Sequence, residues 1–269
     1  AANDITAIAG ILNGTTNFIL TKMLNEQMDF NDALKLAQQL GYAEKDPTAD
    51  IEGHDACRKI CILSSLAFGK HVYPDWVHCE GITKITAEDS QYAENWGGAV
   101  KLIGSVKKTA DGKILPMVRP AFVCYGNQLS HVSDVFNGIM VYGDAVDQVM
   151  FYGRGAGKLP TASAIVADII DAVKMKGTSI SQTWEDSKDN SFIADYKDDV
   201  VSFYVRTSGV SNETVSKVFG TVEYLSREGQ PAAESAFITP AMKERDFDAK
   251  LKELGGEILG TVRVLDMED

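Results

Sequence analysis

The sequence predicts an α+β protein: a mixed or antiparallel sheet covered by helices, followed by a small ferredoxin-like βαββαβ unit. Three observations point there. Helical periodicity fills the first quarter of the chain, β-branched runs between turn residues fill the middle, and strands alternate with helices beyond residue 200. The chain has 269 residues, 45% apolar and 24% charged, a composition that folds and a length that suits one large or two smaller domains.

Taken in order, residues 8–70 read as helix, loop, helix, loop, helix. After the turn-like Asn13-Gly14, Thr15 and Thr16 are candidate N-caps of a helix to about Met28, with Phe18, Ile19, Met23 and Leu24 on one face. Asp29 or Asn31 starts the second helix, whose Leu34, Ala37 and Leu40 recur at three-residue steps before a Gly41 cap. Residues 42–53 are polar, contain Pro47 and read as a loop, and a third helix spans 54–68, ending at Gly69.

The β-branched runs 100–106 and 114–118 flank Ala110-Asp111-Gly112-Lys113, a hairpin signal, while Asn137-Gly138 marks a turn before a strand at 139–142. Gly153-Arg154-Gly155-Ala156-Gly157 leads through Pro160-Thr161 into a helix to about Lys174. The polar stretch 177–199 is the best boundary on composition and divides a first domain, 1–180, from a second, 195–269. Beyond it, 200–207, 235–239 and 258–265 read as strands and 212–228 and 242–254 as helices, most of a βαββαβ layout.

Composition removes several function classes. Lys plus Arg number 26 against 38 Asp plus Glu, a formal charge of −12, which disfavours nucleic acid and anionic membranes as partners. No stretch reaches the ~18 uninterrupted apolar residues of a spanning helix. The start, Ala1-Ala2-Asn3-Asp4-Ile5, has neither an initiator Met nor a secretory signal, so the natural N-terminus is expected to be lost or cut away. Cys57, Cys61, Cys79 and Cys124 are too few for a disulfide scaffold and point to a reducing cytoplasm. Cys57, Cys61 and His54 lack the second ligand pair of a metal site, so no metal is assigned. There is no HExxH, Gly-x-Ser-x-Gly, GxGxxG after a strand or Walker motif.

The chemistry concentrates between Tyr42 and Lys59. Asp55 and Lys59 are four apart on the third helix and share a face, and Ile62, Leu63 and Leu66 continue it into apolar residues, as though the pair enters the interior. Burial favours a neutral lysine and an adjacent carboxylate a charged one, a competition that poises an ammonium for proton transfer. From spacing alone, a surface ion pair worth at most ~1 kcal/mol and Schiff-base chemistry at Lys59 stay open beside this. The Asn13-Gly14-Thr15-Thr16 helix start suits a carboxylate or carbonyl oxygen or is a plain cap, and the glycine turn before Thr161 lets backbone approach an anion or is simply a turn.

These stretches together resemble the homoserine dehydrogenase family. The resemblance is carried by GILNGTTNFIL from Gly10, LGYAEKDPTADIEGHDACRK from Leu40, the Gly81-Ile82 and Lys84-Ile85-Thr86 segment, and YGRGAGKLPTASAIVADII from Tyr152, across about residues 5–175. The C-terminal unit, with AFITPAMKERDFDAKLKELGG and TVRVLD, resembles an ACT-type regulatory domain. The resemblance implies reversible reduction of L-aspartate 4-semialdehyde to L-homoserine with NADPH or NADH, on the route to threonine, methionine and isoleucine. Lys59 matches the family's catalytic lysine and Asp55 its partner carboxylate. Glu44 matches the residue that binds the substrate ammonium, and Gly14, Thr15, Tyr42 and Asp50 match further substrate contacts. Gly157 matches a glycine near the cofactor, with Thr161 assisting from its helix.

Two departures qualify the match. The family's Rossmann fingerprint is absent from these residues, so the chain is expected to be a fragment that does not turn over substrate alone. In the ACT-like unit, effector-binding members carry an acidic residue and Pro-Gly after the first strand, whereas Ser208-Gly209-Val210-Ser211-Asn212 stands here, which speaks against an effector amino acid such as threonine. An open sheet edge suits pairing with a twin, so a homodimer is the simplest assembly. The rival function is a non-catalytic amino-acid-binding or oligomerisation module of the same descent.

Overall fold

A computed structural model describes residues 2–177 and 184–266, so part of the expected boundary, 178–183, lies outside the described residues. The first half contains β1 (Ile5–Ile11), α1 (Gly14–Asn25), α2 (Phe30–Gln39), α3 (Thr48–Ile51), α4 (His54–Phe68), β2 (His78–Cys79) and α5 (Ala87–Trp96). The central strands β3 (Gly98–Lys108), β4 (Ile114–Cys124), β5 (Phe136–Gly143) and β6 (Asp147–Arg154) precede α6 (Lys158–Lys174). Then follow β7 (Val200–Val201), β8 (Phe203–Ser208), α7 (Asn212–Phe219), β9 (Glu223–Leu225), β10 (Glu234–Ile238), β11 (Met242–Lys243), α8 (Glu244–Leu254) and β12 (Glu257–Val264).

Among the described residues, ten strands form one sheet in the order β6-β5-β1-β3-β4-β12-β8-β10-β9, with β2 also beside β4. Its spine is the β3–β4 hairpin, antiparallel from Gly98↔Cys124 to Lys108↔Ile114 around the predicted turn. β12 runs parallel to β4 and antiparallel to β8, which makes the sheet mixed, as the sequence predicts. From β8 onward, apart from the two-residue β11 that pairs with β7 in a separate sheet, the chain runs β-α-β-β-α-β in the spatial order β12-β8-β10-β9.

Helices α1, α2, α4 and α5 pack on one face, where Phe18, Ile19, Ile60 and Tyr92 meet Leu102, Val118 and Phe122, while α7 and α8 cover the opposite face against Phe203, Val205 and Phe237. Phe122 of β4 and Tyr204 of β8 stack at 4.4 Å, both fully buried. A buried polar group crosses the same seam. Asp89 of α5 accepts from Tyr204 and from the Arg206 guanidinium, each at 3.0 Å, while the Tyr92 hydroxyl donates to Glu234 at 2.8 Å. Burial raises the Asp89 carboxyl above its ordinary range against the opposing charge of Arg206.

Several elements differ from the sequence reading. Residues 8–11 belong to a strand, because Ile5–Ile11 pairs with both β3 and β5 and is buried from Ala7 onward. The cap of α1 is Asn13, whose side chain accepts from the Thr16 amide at 2.9 Å, rather than Thr15 or Thr16. Asn137-Gly138 lies within β5, not in a turn, since pairing with β1 and β6 overrides the local preference. The helix expected over 212–228 stops at Phe219, and 223–225 adds the edge strand β9 instead. Helix α5 escapes the sequence reading although Thr86 and Asp89 form its capping box.

Candidate active site

The turn at Asn13 brings the end of β1 and the start of α1 against the start of α4. Thr15 Oγ1 donates to the carbonyl of Tyr42 at 2.7 Å and so ties the turn to the loop after α2. Gly14 approaches the neighbouring loop so closely that a Cβ there would lie 2.8 Å from the carbonyl oxygen of Val135. Any larger residue would push the loop away.

Around this turn four polar side chains form a chain of contacts. The Asn13 amide donates to Asp50 Oδ1 at 2.7 Å and to Asp55 Oδ2 at 2.9 Å. Lys59 Nζ donates to the same Asp55 oxygen at 2.7 Å and to the Leu12 carbonyl at 2.9 Å. An ammonium has three hydrogens, so one stays uncommitted. Burial raises the Asp50 carboxyl, the Asn13 hydrogen bond opposes it, and the charge of Asp55 adds to it.

These groups line a cleft of about 460 Å³ with Gly14, Thr15, Leu40, Gly41, Tyr42, Val135, Asn137 and the Arg154–Gly157 segment. Gly157 has φ of 114°, a conformation that favours glycine, and opens α6 at the cleft margin. Of the predicted site residues, Gly14, Thr15, Tyr42, Asp50, Asp55, Lys59 and Gly157 therefore come together. Glu44 is exposed and does not line the cleft, although its charge acts on Asp50, and Thr161 is exposed within the first turn of α6.

The reading of α4 needs correction. Ile62 and Leu66 are 53% and 51% exposed, and the buried stripe is Ala56, Cys57, Ile60, Cys61 and Ser64. The Asp55–Lys59 pair sits on the shoulder of this stripe, with side chains 31% and 47% exposed, and faces the cleft rather than the core. Cys57 and Cys61 are buried and His54 is exposed, and among the described residues no trio of His, Cys, Asp or Glu is arranged to hold a metal.

Three polar lining side chains have roles that the sequence reading did not assign, although Asn13 belonged to a motif it singled out. Asn13 carried a signal, as the polar residue before a Gly-Thr-Thr helix start. Asn137 and Arg154 gave only ambiguous ones, an Asn-Gly pair that looked like a turn and an arginine between glycines.

An ammonium held by one carboxylate beside a second, in an open cleft at the edge of a helix-covered mixed sheet, is an arrangement chemically suited to moving a proton on a small polar molecule. The chain belongs to the homoserine dehydrogenase family, whose model, "Homoserine dehydrogenase", matches residues 1–170. A homoserine dehydrogenase of Synechocystis sp. is 39% identical over 98% of this chain, which covers 66% of that relative, so the chain spans just under two thirds of its length. A crystal structure of the Thiobacillus denitrificans homoserine dehydrogenase superposes with a TM-score of 0.85 at 30% identity, covering 99% of this chain and 65% of that one. A hyperthermophilic archaeal homoserine dehydrogenase mutant in complex with NADPH matches at a TM-score of 0.52 and 31% identity, covering 64% of this chain and 48% of that one.

Proposed function

We propose that this chain is the substrate-handling and C-terminal portion of an enzyme that reduces L-aspartate 4-semialdehyde to L-homoserine with NADPH or NADH. The observation that carries this reading is the uncommitted ammonium hydrogen of Lys59, fixed by Asp55 and the Leu12 carbonyl at the wall of the cleft.

The residues present fit a nicotinamide at the Gly155–Gly157 turn, where the backbone carries no side chain beyond that of Ala156 and the buried Asn137 Oδ1 stands without a partner. The cofactor supplies the hydride. Lys59 gives its proton to the aldehyde oxygen as that oxygen gains charge, and the product is a primary alcohol. Asp55 holds the lysine in place. Asp50, with Glu44 nearby, attracts the substrate ammonium, and the Gly14–Thr15 turn and Tyr42 shape the wall against which the substrate lies. Thr161 supports the turn from α6.

In the full-length protein, Lys59→Ala is expected to lower kcat about 10²- to 10⁴-fold with KM for aspartate semialdehyde little changed, read as NADPH oxidation. An unchanged kcat removes Lys59 from the chemistry.

The domain division at 1–180 and 195–269 belongs to the same proposal, with the β-α-β-β-α-β unit as an ACT-type domain. Its strand order supports that reading. β9, the outermost strand, is the edge through which two copies pair into a homodimer. An effector amino acid such as threonine fits the domain type but not the Ser208–Asn212 segment. Free cysteines and the absence, among the described residues, of a helix long and apolar enough to cross a membrane support a cytoplasmic location.

A further inference from the structure

The cleft holds one cation that the proposed chemistry leaves idle. Of the seven arginines, Arg119, Arg206, Arg227, Arg245 and Arg263 each face a carboxylate within 4.0 Å, and Arg58 of α4, which forms no such pair among the described residues, does not line the cleft. Arg154 lines the cleft and forms no such ion pair among the described residues, in a chain with a net charge of −12. An arginine without an acid partner is uncommon where acids outnumber bases, and it is free to take an incoming anion.

Arg154 is also held in place. It stands opposite Phe136 across the β5–β6 ladder, and its guanidinium lies 4.8 Å from the Phe136 ring centroid. Tyr152 stacks on the same ring at 5.1 Å with the planes 7° apart. This platform positions the stem without using any of the guanidinium's in-plane N–H groups, which remain for a ligand. The following residue is wedged as well: a Cβ on Gly155 would lie 2.5 Å from Asn137 Nδ2, so the Asn137 side chain sets the path of the segment that carries Arg154.

The same cleft contains Asp50, a carboxylate held by the neutral Asn13 amide, while Asp55 and Lys59 neutralise one another. The two charges left over are one carboxylate and one guanidinium. That is the complement of a zwitterion.

We propose that Arg154 is the anion-binding residue of this cleft and determines its preference for ligands that carry a carboxylate or a phosphate. The proposal rests on the dehydrogenase reading, which supplies two sources of such an anion: the carboxylate of the amino-acid substrate and the diphosphate of the dinucleotide.

The experiment compares full-length wild type, Arg154→Ala and Arg154→Lys. KM is measured separately for aspartate semialdehyde and NADPH, and calorimetry records binding of L-homoserine and of 3-aminopropan-1-ol, which lacks the carboxylate. If the substrate carboxylate is the anion, Arg154→Ala raises the substrate KM about tenfold or more, and the preference for homoserine over the amino alcohol collapses. A rise of that size in the NADPH KM alone assigns the anion to the dinucleotide. Arg154→Lys recovers part of either loss, since it keeps the charge but not the planar fork. If both KM values and the ligand preference stay within twofold of wild type in Arg154→Ala, the proposal is overturned. A wild-type enzyme that neither oxidises NADPH with aspartate semialdehyde nor binds homoserine overturns the dehydrogenase reading itself, and with it the premise of this one.

Discussion

Asn13 does three jobs with one amide. Its oxygen caps α1 through the Thr16 amide, and its nitrogen bridges Asp50 and Asp55, holding two carboxylates near one another and near Lys59. Like charges at close range repel, so the bridge is what lets both stay in the site. Asn13→Ala is expected to cost about 1–2 kcal/mol of stability through the lost cap, visible in urea unfolding, and to lower kcat/KM in the full-length enzyme. Because its hydrogen bond opposes the upward push on Asp50, the variant also raises that carboxyl further. Unaltered kcat/KM in a folded variant would show that the bridge is dispensable. At this scale the sequence was informative wherever contacts are local: Asp55 and Lys59 meet because they are one helical turn apart. Asn137 and Arg154 were not legible, since a strand ladder and two loops distant in sequence bring them to the cleft.

Helix α6 poses a different problem. Its run of apolar residues was readable, but which face is covered was not, because that depends on what packs there. None of its residues is buried, and Leu159, Ile165, Val166, Ile169, Ile170 and Val173 lie open to solvent over seventeen residues. A contiguous apolar patch of this kind marks an interaction surface or an aggregation hazard. For the 269-residue chain, the double variant Ile165→Lys, Ile169→Lys is expected to bind less hydrophobic dye and to stay soluble at higher concentration, with a change in unfolding free energy of about 0.5 kcal/mol or less. A large loss of stability would mean that the helix is packed after all. The elements that did match their sequence reading, such as α4 with its glycine stop and the β3–β4 hairpin, are those whose signals lie within a few residues of one another.

Across the whole molecule, the composition change near 177–199 suggests a boundary but does not reveal that one sheet continues beyond it. Pairing of β12 with β4 is invisible to local pattern. Charge reinforces that seam: Arg263 of β12 donates to Glu80 at 2.8 Å and also to Glu244, and Glu80 is paired in turn with His78, which stacks on Tyr196 at 3.7 Å. Burial alone would raise Glu80, yet the His78 hydrogen bond and the Arg263 charge hold it at about 2, below its ordinary 4.5. Its folded pKa is depressed, so its stabilising contribution is present above pH 4.5 and is lost as the pH falls towards 2. The carboxylate is 41% exposed, and allowing for solvent screening the effect is about 1–2 kcal/mol. Urea unfolding of wild type and Glu80→Gln is therefore expected to show a gap at pH 7 that narrows by pH 3, whereas a gap independent of pH would assign the cost to packing.

The position of β12 bears on how the protein is made. Among the described strands it is made after both of its neighbours, yet it lies mid-sheet, with β4 on one side and β8 on the other. Until the β12 residues leave the ribosome, two hydrophobic borders wait opposite each other with their amides and carbonyls unmatched, and any stray extended peptide can take the vacant lane. The nascent chain thus carries this risk of misassembly from the emergence of β8 until β12 is made, and closing the seam falls to β12.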